Sequence, residues 1–151
     1  MAELKERLRT DLTAAMKSRD EVRLATVRMA LTAITNEEVA GKEVRTLDDA
    51  EVLTVLTREA KKRREAAEAY DAAGRTELAA RERAEGEVLA DYLPQQLTDG
   101  ELTALVSAAI AEAGATEMRQ MGVVMKLVTP QAAGRADGQR VSTEVKRQLG
   151  N

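Results

Sequence analysis

Tyr92-Leu93-Pro94-Gln95-Gln96-Leu97-Thr98-Asp99-Gly100-Glu101 decides how this chain is divided. Pro94 has no N–H to donate to an upstream carbonyl, and it disfavours helical backbone at the residue before it. A helix arriving from upstream therefore stops here. Thr98-x-x-Glu101 is a capping-box pattern, in which the hydroxyl and the carboxylate each satisfy a free N–H at the start of a new helix. The reading is an all-helical chain in two parts, an N-terminal domain over 1–97 and a small C-terminal domain over 98–151.

Upstream of this boundary, Leu4, Leu8, Leu12 and Met16 recur every four residues, one stripe of an amphipathic helix over about 3–18. Asp20 is placed to cap the next helix, whose seam is Leu24, Val27, Leu31 and Ile34 and which ends near Gly41. Leu47-Asp48-Asp49 opens a third helix, with acids favourable at its positive end. Its apolar stripe thins after residue 57 while strong helix formers continue. Such a segment projects from the core. Gly74 is a left-handed stop, and Thr76 is the expected cap of a return helix through Leu78, Ala84, Val88, Leu89 and Leu93. Residues 58–86 are thus expected to form a protruding αα-hairpin, with Tyr70 and Leu78 packing near its tip.

Downstream, Leu102, Leu105, Val106, Ala109 and Ile110 give the next helix its core face, and Gly114 ends it. A shorter helix carries Met118, Met121, Val124, Met125 and Val128 and is expected to close at Thr129-Pro130. The methionine stripe fits a bundle core better than an adaptable partner surface. The last helix follows the turn Gly134-Arg135-Ala136-Asp137-Gly138, with Asp137 as its cap and Val141, Val145 and Leu149 inward. Three short helices make up this domain.

Composition removes much chemistry. The 151 residues include no His, Cys, Phe or Trp. A Ser-His-Asp triad, a Cys-His pair, a zinc site and a thiol redox centre are all excluded. No Asp/Glu group has a recognisable metal-ligand spacing, and no glycine-rich phosphate loop is present, so neither a metal nor a cofactor is read from the sequence. Ser18, Ser107 and Ser142 are too dispersed for a serine-based amidase centre. Autonomous catalysis is not expected. No run approaches the roughly 18 apolar residues of a membrane span, and Met1-Ala2-Glu3-Leu4-Lys5-Glu6 lacks a signal-peptide core, so the expectation is a cytoplasmic protein without a membrane partner.

The net charge of −3 conceals a local asymmetry. Residues 118–151 hold six cations, Arg119, Lys126, Arg135, Arg140, Lys146 and Arg147, against Asp137 and Glu144. Lys126, Arg135, Arg140, Lys146 and Arg147 are the candidate RNA-binding set. Arg135 lies in the turn and Arg140 in the first turn of the last helix, where free N–H groups and the helix dipole attract an anion. Two readings stand side by side: a phosphate site, or an end already occupied by Asp137 with cations that solubilise a small domain. A second basic patch, Arg58, Lys61, Lys62, Arg63 and Arg64, lies on the hairpin. There Glu59/Arg63, Lys61/Glu65 and Arg64/Glu68 stand at i,i+4, as expected of a solvated arm. Tyr70 and Tyr92 are the sole aromatics, so recognition of a folded RNA by shape and phosphates fits better than base stacking.

Several runs also resemble a known family. Ala15-Met16-Lys17-Ser18-Arg19-Asp20, Arg23-Leu24 and Val27-Arg28-Met29 are similar to the N-terminal signature of the GatB/YqeY family, in particular its stand-alone YqeY-like members. So are Arg58 through Glu65, Ala73-Gly74-Arg75, Tyr92-Leu93-Pro94 with Leu97, Met121-Gly122-Val123-Val124-Met125 and Gly134-Arg135-Ala136-Asp137-Gly138. The resemblance implies a two-part helical fold whose C-terminal part is similar to the tail domain of the GatB subunit of tRNA-dependent glutamine amidotransferase. That tail contacts the tRNA body. Carbon–nitrogen ligation with glutamine as amide donor is implied only through the larger enzyme, whose catalytic parts have no counterpart here. Two positions depart from the pattern: Ala133 stands where a basic residue is common, and Ala66 where serine is frequent. The resulting expectation is a non-catalytic accessory protein that binds tRNA or another structured RNA. A protein partner in tRNA metabolism, docked on the hairpin, is the alternative.

Overall fold

The computed structural model describes residues 2–150. Among them are seven α-helices and no strand, so the chain is all-helical: α1 Glu3–Ser18, α2 Glu21–Val39, α3 Asp49–Ala72, α4 Thr76–Ala90, α5 Asp99–Ala113, α6 Met121–Ala132 and α7 Gly138–Leu149. A 3₁₀ turn, Met118–Gln120, runs into α6. The chain divides into two compact units at Leu93/Pro94. Leu97, placed before the boundary by sequence, is buried in the core of the second unit.

In the first unit, Leu8, Val27, Ile34, Leu47, Val52, Leu56 and Leu89 form the core. The α1 seam is rotated from the expected four-residue stripe: Lys5, Leu8 and Ala15 are buried, whereas Met16 is 55% exposed. Asp20 caps α2 by accepting from Arg23 N–H at 3.1 Å. Arg19, just before it, closes α1 in the left-handed region at φ 59°. Side chains other than glycine, Asn and Asp rarely adopt that conformation. Asp48 and Glu51 complete a capping box at α3.

α3 and α4 form the hairpin, turning at Gly74 with φ +74°. Its start and glue differ from expectation. α4 begins at Thr76 itself, so Arg75 occupies the N-cap position and makes no side-chain cap. Leu78 is exposed and Tyr70 half-buried, while Ala67 and Ala79 are the buried apolar residues within 58–86. Small side chains let the two helices approach closely. α4 ends at Ala90, and Tyr92 turns back into the first core. The Tyr92 hydroxyl donates to the Asp11 carboxylate, and the Arg7 guanidinium lies 4.5 Å from the ring centroid. Burial first, then that hydrogen bond, raises the Tyr92 pKa well above its ordinary value.

In the second unit, Leu102, Val106, Val124, Val128, Val141 and Val145 form an aliphatic core. The Thr98/Glu101 capping box is present, and Gly114 ends α5 in the left-handed region. α6 does not close at Pro130 but runs to Ala132 with Pro130 in its last turn. The fixed φ of proline is helix-compatible there, at the loss of one backbone bond. The methionines are peripheral: Met121 and Met125 are half-buried against the core and Met118 is exposed.

Candidate functional site

The turn before α7 folds as the sequence requires. Asp137 accepts from Arg140 N–H at 2.9 Å, Gly134 takes φ +74°, and Gly138 starts the helix. Backbone pairing ties this turn to the start of the unit: Leu97 N–H donates to the Arg135 carbonyl at 2.8 Å, and Gln96 Nε2 donates to the Gly134 carbonyl at 2.8 Å. Arg135 Nε returns a hydrogen bond to the Gln95 carbonyl at 3.0 Å.

The five candidate cations do not form one array. Arg140 Nη2 contacts Asp99 Oδ1 at 2.9 Å, bringing the first turns of α5 and α7 together. Arg147 Nε contacts Glu144 Oε1 at 2.6 Å, one turn back on α7. Glu144 also accepts from Gln148 Nε2 at 2.9 Å and Thr103 Oγ1 at 3.3 Å. The Arg147 hydrogen bond, against the opposing effect of burial, holds the Glu144 pKa down at about 2. Arg135 lies near the first turn of α5, where its charge helps to lower the Glu101 pKa below the ordinary carboxylate value, after the larger effect of the Thr98 backbone and hydroxyl hydrogen bonds. Lys126 on α6 and Lys146 on α7 are exposed and make no ion pair among the described residues. Arg119, outside the candidate set, contacts Glu117 at 2.5 Å with its own side chain 83% exposed.

The hairpin cations are largely compensated. Arg58 contacts Glu37 at 3.6 Å, Lys61 contacts Glu65 at 3.9 Å, and Lys62 contacts Glu59 at 3.5 Å. Arg63 points inward, not out. It lies among Glu59 at 3.8 Å, Glu82 at 3.4 Å and Glu85 at 3.3 Å, bridging α3 to α4. Arg64 is exposed on α3. Beyond residue 58 the hairpin is thus held by small buried residues, by the Arg63 guanidinium among three carboxylates, and by Arg83, which pairs with Asp71 on α3.

Sequence reasoning missed two buried polar links in the first unit. Lys5 Nζ meets Glu38 Oε1 at 2.7 Å with both side chains buried. Glu38 Oε2 accepts Leu47 N–H at 3.0 Å, closing the segment between α2 and α3 onto the core. The Lys5 hydrogen bond first, then that of Leu47, lowers the Glu38 pKa. The signal was present: Glu38 continues the Val27, Ala30, Ile34 register by one more turn. No group of three or more Asp or Glu among the described residues is arranged to hold a metal. No helix among them is long and apolar enough to cross a membrane.

The sequence model for the Yqey-like protein family matches residues 5–149. This chain belongs to that family. Comparison with curated proteins found no match. In this YqeY-like chain the match extends through both units, so the paired α3–α4 hairpin and the α5–α7 unit both fall inside the family's extent.

Proposed function

We propose that this YqeY-like protein is a non-catalytic accessory factor of tRNA metabolism, and that its C-terminal unit contacts the phosphates of a structured RNA. The observation that carries this reading is the state of three cations. Among the described residues Lys126 and Lys146 are exposed without an ion pair, and Arg135 is positioned by a neutral carbonyl, so each keeps its charge available. Arg140 and Arg147 enter second. Arg140 is held by Asp99, which is 99% exposed, and a surface pair of this kind is weak enough for a phosphate to displace.

Three to five phosphate contacts give a slope of log K against log salt of about −2.7 to −4.5 for a duplex-like target. Filter binding of bulk tRNA across a salt series measures it. The triple variant Lys126→Ala, Arg135→Ala, Lys146→Ala is expected to flatten the slope by about 2.7 while leaving helical circular dichroism intact. Binding that is absent at low salt, or that does not respond to salt, overturns the reading. A second reading, docking of a protein on the hairpin, rests on the inward Arg63: the hairpin is braced by its own ion pairs, which leaves its outer faces for a partner.

A further inference from the structure

The turn that carries Arg135 is held from two sides. From within, Gly134 takes φ +74°, and the Arg135 and Ala136 N–H groups both donate to the Ala132 carbonyl, at 2.8 and 3.0 Å. From the segment before α5, Leu97 N–H donates to the Arg135 carbonyl at 2.8 Å. The Gln96 carboxamide completes the tie: its Nε2 donates to the Gly134 carbonyl at 2.8 Å and to the Pro94 carbonyl at 3.2 Å. An amide nitrogen carries two hydrogens, so one side chain can hold both stretches of chain.

The Arg135 side chain is oriented as well. Its Nε donates to the Gln95 carbonyl at 3.0 Å. In Arg140 and Arg147 the guanidinium instead meets a carboxylate, Asp99 or Glu144, which opposes its charge. The anchor of Arg135 is neutral. Its Nη1 and Nη2 carry no hydrogen bond or ion pair among the described residues, and the residue is half-buried. Glu101 feels the Arg135 charge, yet its Oε1 accepts Thr98 N–H at 3.0 Å and it forms no ion pair with Arg135 among the described residues. A planar guanidinium fixed at Nε presents Nη1 and Nη2 as a fork, the geometry that takes two oxygens of one phosphate. A lysine ammonium is a point charge on a flexible stem and offers no such fork.

We infer that Arg135 is a pre-oriented fork for one phosphate group, and that Gln96 is the residue that positions it. The inference rests on the phosphate-contact reading above and adds to it that Arg135 acts by geometry as well as by charge. The phosphate can come from a structured RNA or from free polyphosphate, and the two arms of the test separate these sources.

In NMR of the arginine side chains of the free, full-length protein, Arg135 Nε–H is expected to exchange with water at least ten-fold more slowly than Arg28 Nε–H. Arg28 is exposed on α2 and its side chain has no partner among the described residues. Gln96→Met, which keeps the length but not the donors, is expected to erase that difference with helical circular dichroism intact. In filter binding of bulk tRNA, Arg135→Lys is expected to weaken affinity about ten-fold, the equivalent of one lost hydrogen bond to a charged group. The salt slope is expected to stay unchanged because the charge is kept. Gln96→Met removes no charge and is expected to weaken binding about three-fold at the same slope, through loss of pre-orientation. Arg135 Nε–H exchange as fast as that of Arg28, no response of it to Gln96→Met, or Arg135→Lys binding like the unaltered chain each overturns the inference and leaves the RNA reading standing. A chain that binds no tRNA overturns the RNA reading. A shift of the Arg135 side-chain signals on titration with tripolyphosphate then supports the fork with free polyphosphate as its ligand, and no shift overturns the fork too.

Discussion

The two units solve the same packing problem with different materials. The first builds its core around aliphatic residues but also buries Lys5, Thr26, Glu38 and Glu59. Every buried polar or charged residue among those described belongs to it. The second encloses Leu, Val and Ala alone, with its part-buried polar network of Thr103, Glu144 and Gln148 at the margin of α5 and α7. An aliphatic core tolerates many arrangements at similar energy, whereas a buried ion pair with a further backbone partner fits one arrangement. Lys5–Glu38 joins residues 33 apart and Tyr92–Asp11 joins residues 81 apart. The first unit contains the long α3–α4 hairpin, whose small side chains leave geometry underdetermined by apolar packing. Within the hairpin, the ion pairs of Arg63 and Arg83 supply what its thin seam omits.

The contrast is broken most severely at Glu38. Glu38→Ala leaves Lys5 charged and buried and the Leu47 N–H without its acceptor. The expected cost is about 3–5 kcal/mol, as for removal of one member of a buried pair. Hydrogen exchange resolved by peptide should then rise across α1–α4 and not across α5–α7. Equal loss of protection in both units would show that the polar link is not particular to the first.

Acid sharpens the comparison at smaller amplitude. The Glu38 carboxylate is held below the ordinary range by Lys5 and Leu47, and Glu144 is held at about 2 by Arg147. A carboxylate with a lowered pKa in the folded state contributes stability fully above its unfolded value, near 4.3, and loses it as pH falls through the folded value. Both units should therefore weaken below about pH 4.5, and the Glu144 contribution persists until pH approaches 2. Urea midpoints followed by circular dichroism at pH 7, 4 and 2.5 measure this. In Glu144→Gln the acid-dependent loss in α5–α7 should shrink. The smallest effect concerns the caps: Thr98→Ala should destabilise the second unit by about 1 kcal/mol, visible as faster exchange in the first turn of α5.

Legibility in the sequence followed range. The caps at Asp20, Thr98 with Glu101, and Asp137 were readable because cap and recipient lie three residues apart, while the Asp48/Glu51 box was read only as favourable acids at a helix start. Thr76 failed as a cap because helix entry slid by one residue, which no local rule excludes. Pro130 misled for a related reason: proline stops a helix by what its ring meets one turn earlier, and the last turn of α6 accommodates it. The cations of the candidate set could be picked out as residues, but their pairing could not be read from the sequence. Whether Arg140 faces Asp99 depends on how α5 and α7 pair, and whether Arg147 is free depends on Glu144.

The sequence by itself determined an all-helical chain, the break near Pro94, the hairpin turn at Gly74 and most helix starts, because periodicity and capping act over one or two turns. Tertiary structure alone decided that Lys5 and Glu38 meet, that Arg63 turns inward, and that Arg119, Arg140 and Arg147 of the second unit contact carboxylates while Lys126, Arg135 and Lys146 form no ion pair among the described residues. Charge pairing acts through space between helices, and its partners are chosen only once the aliphatic seams have set which faces meet.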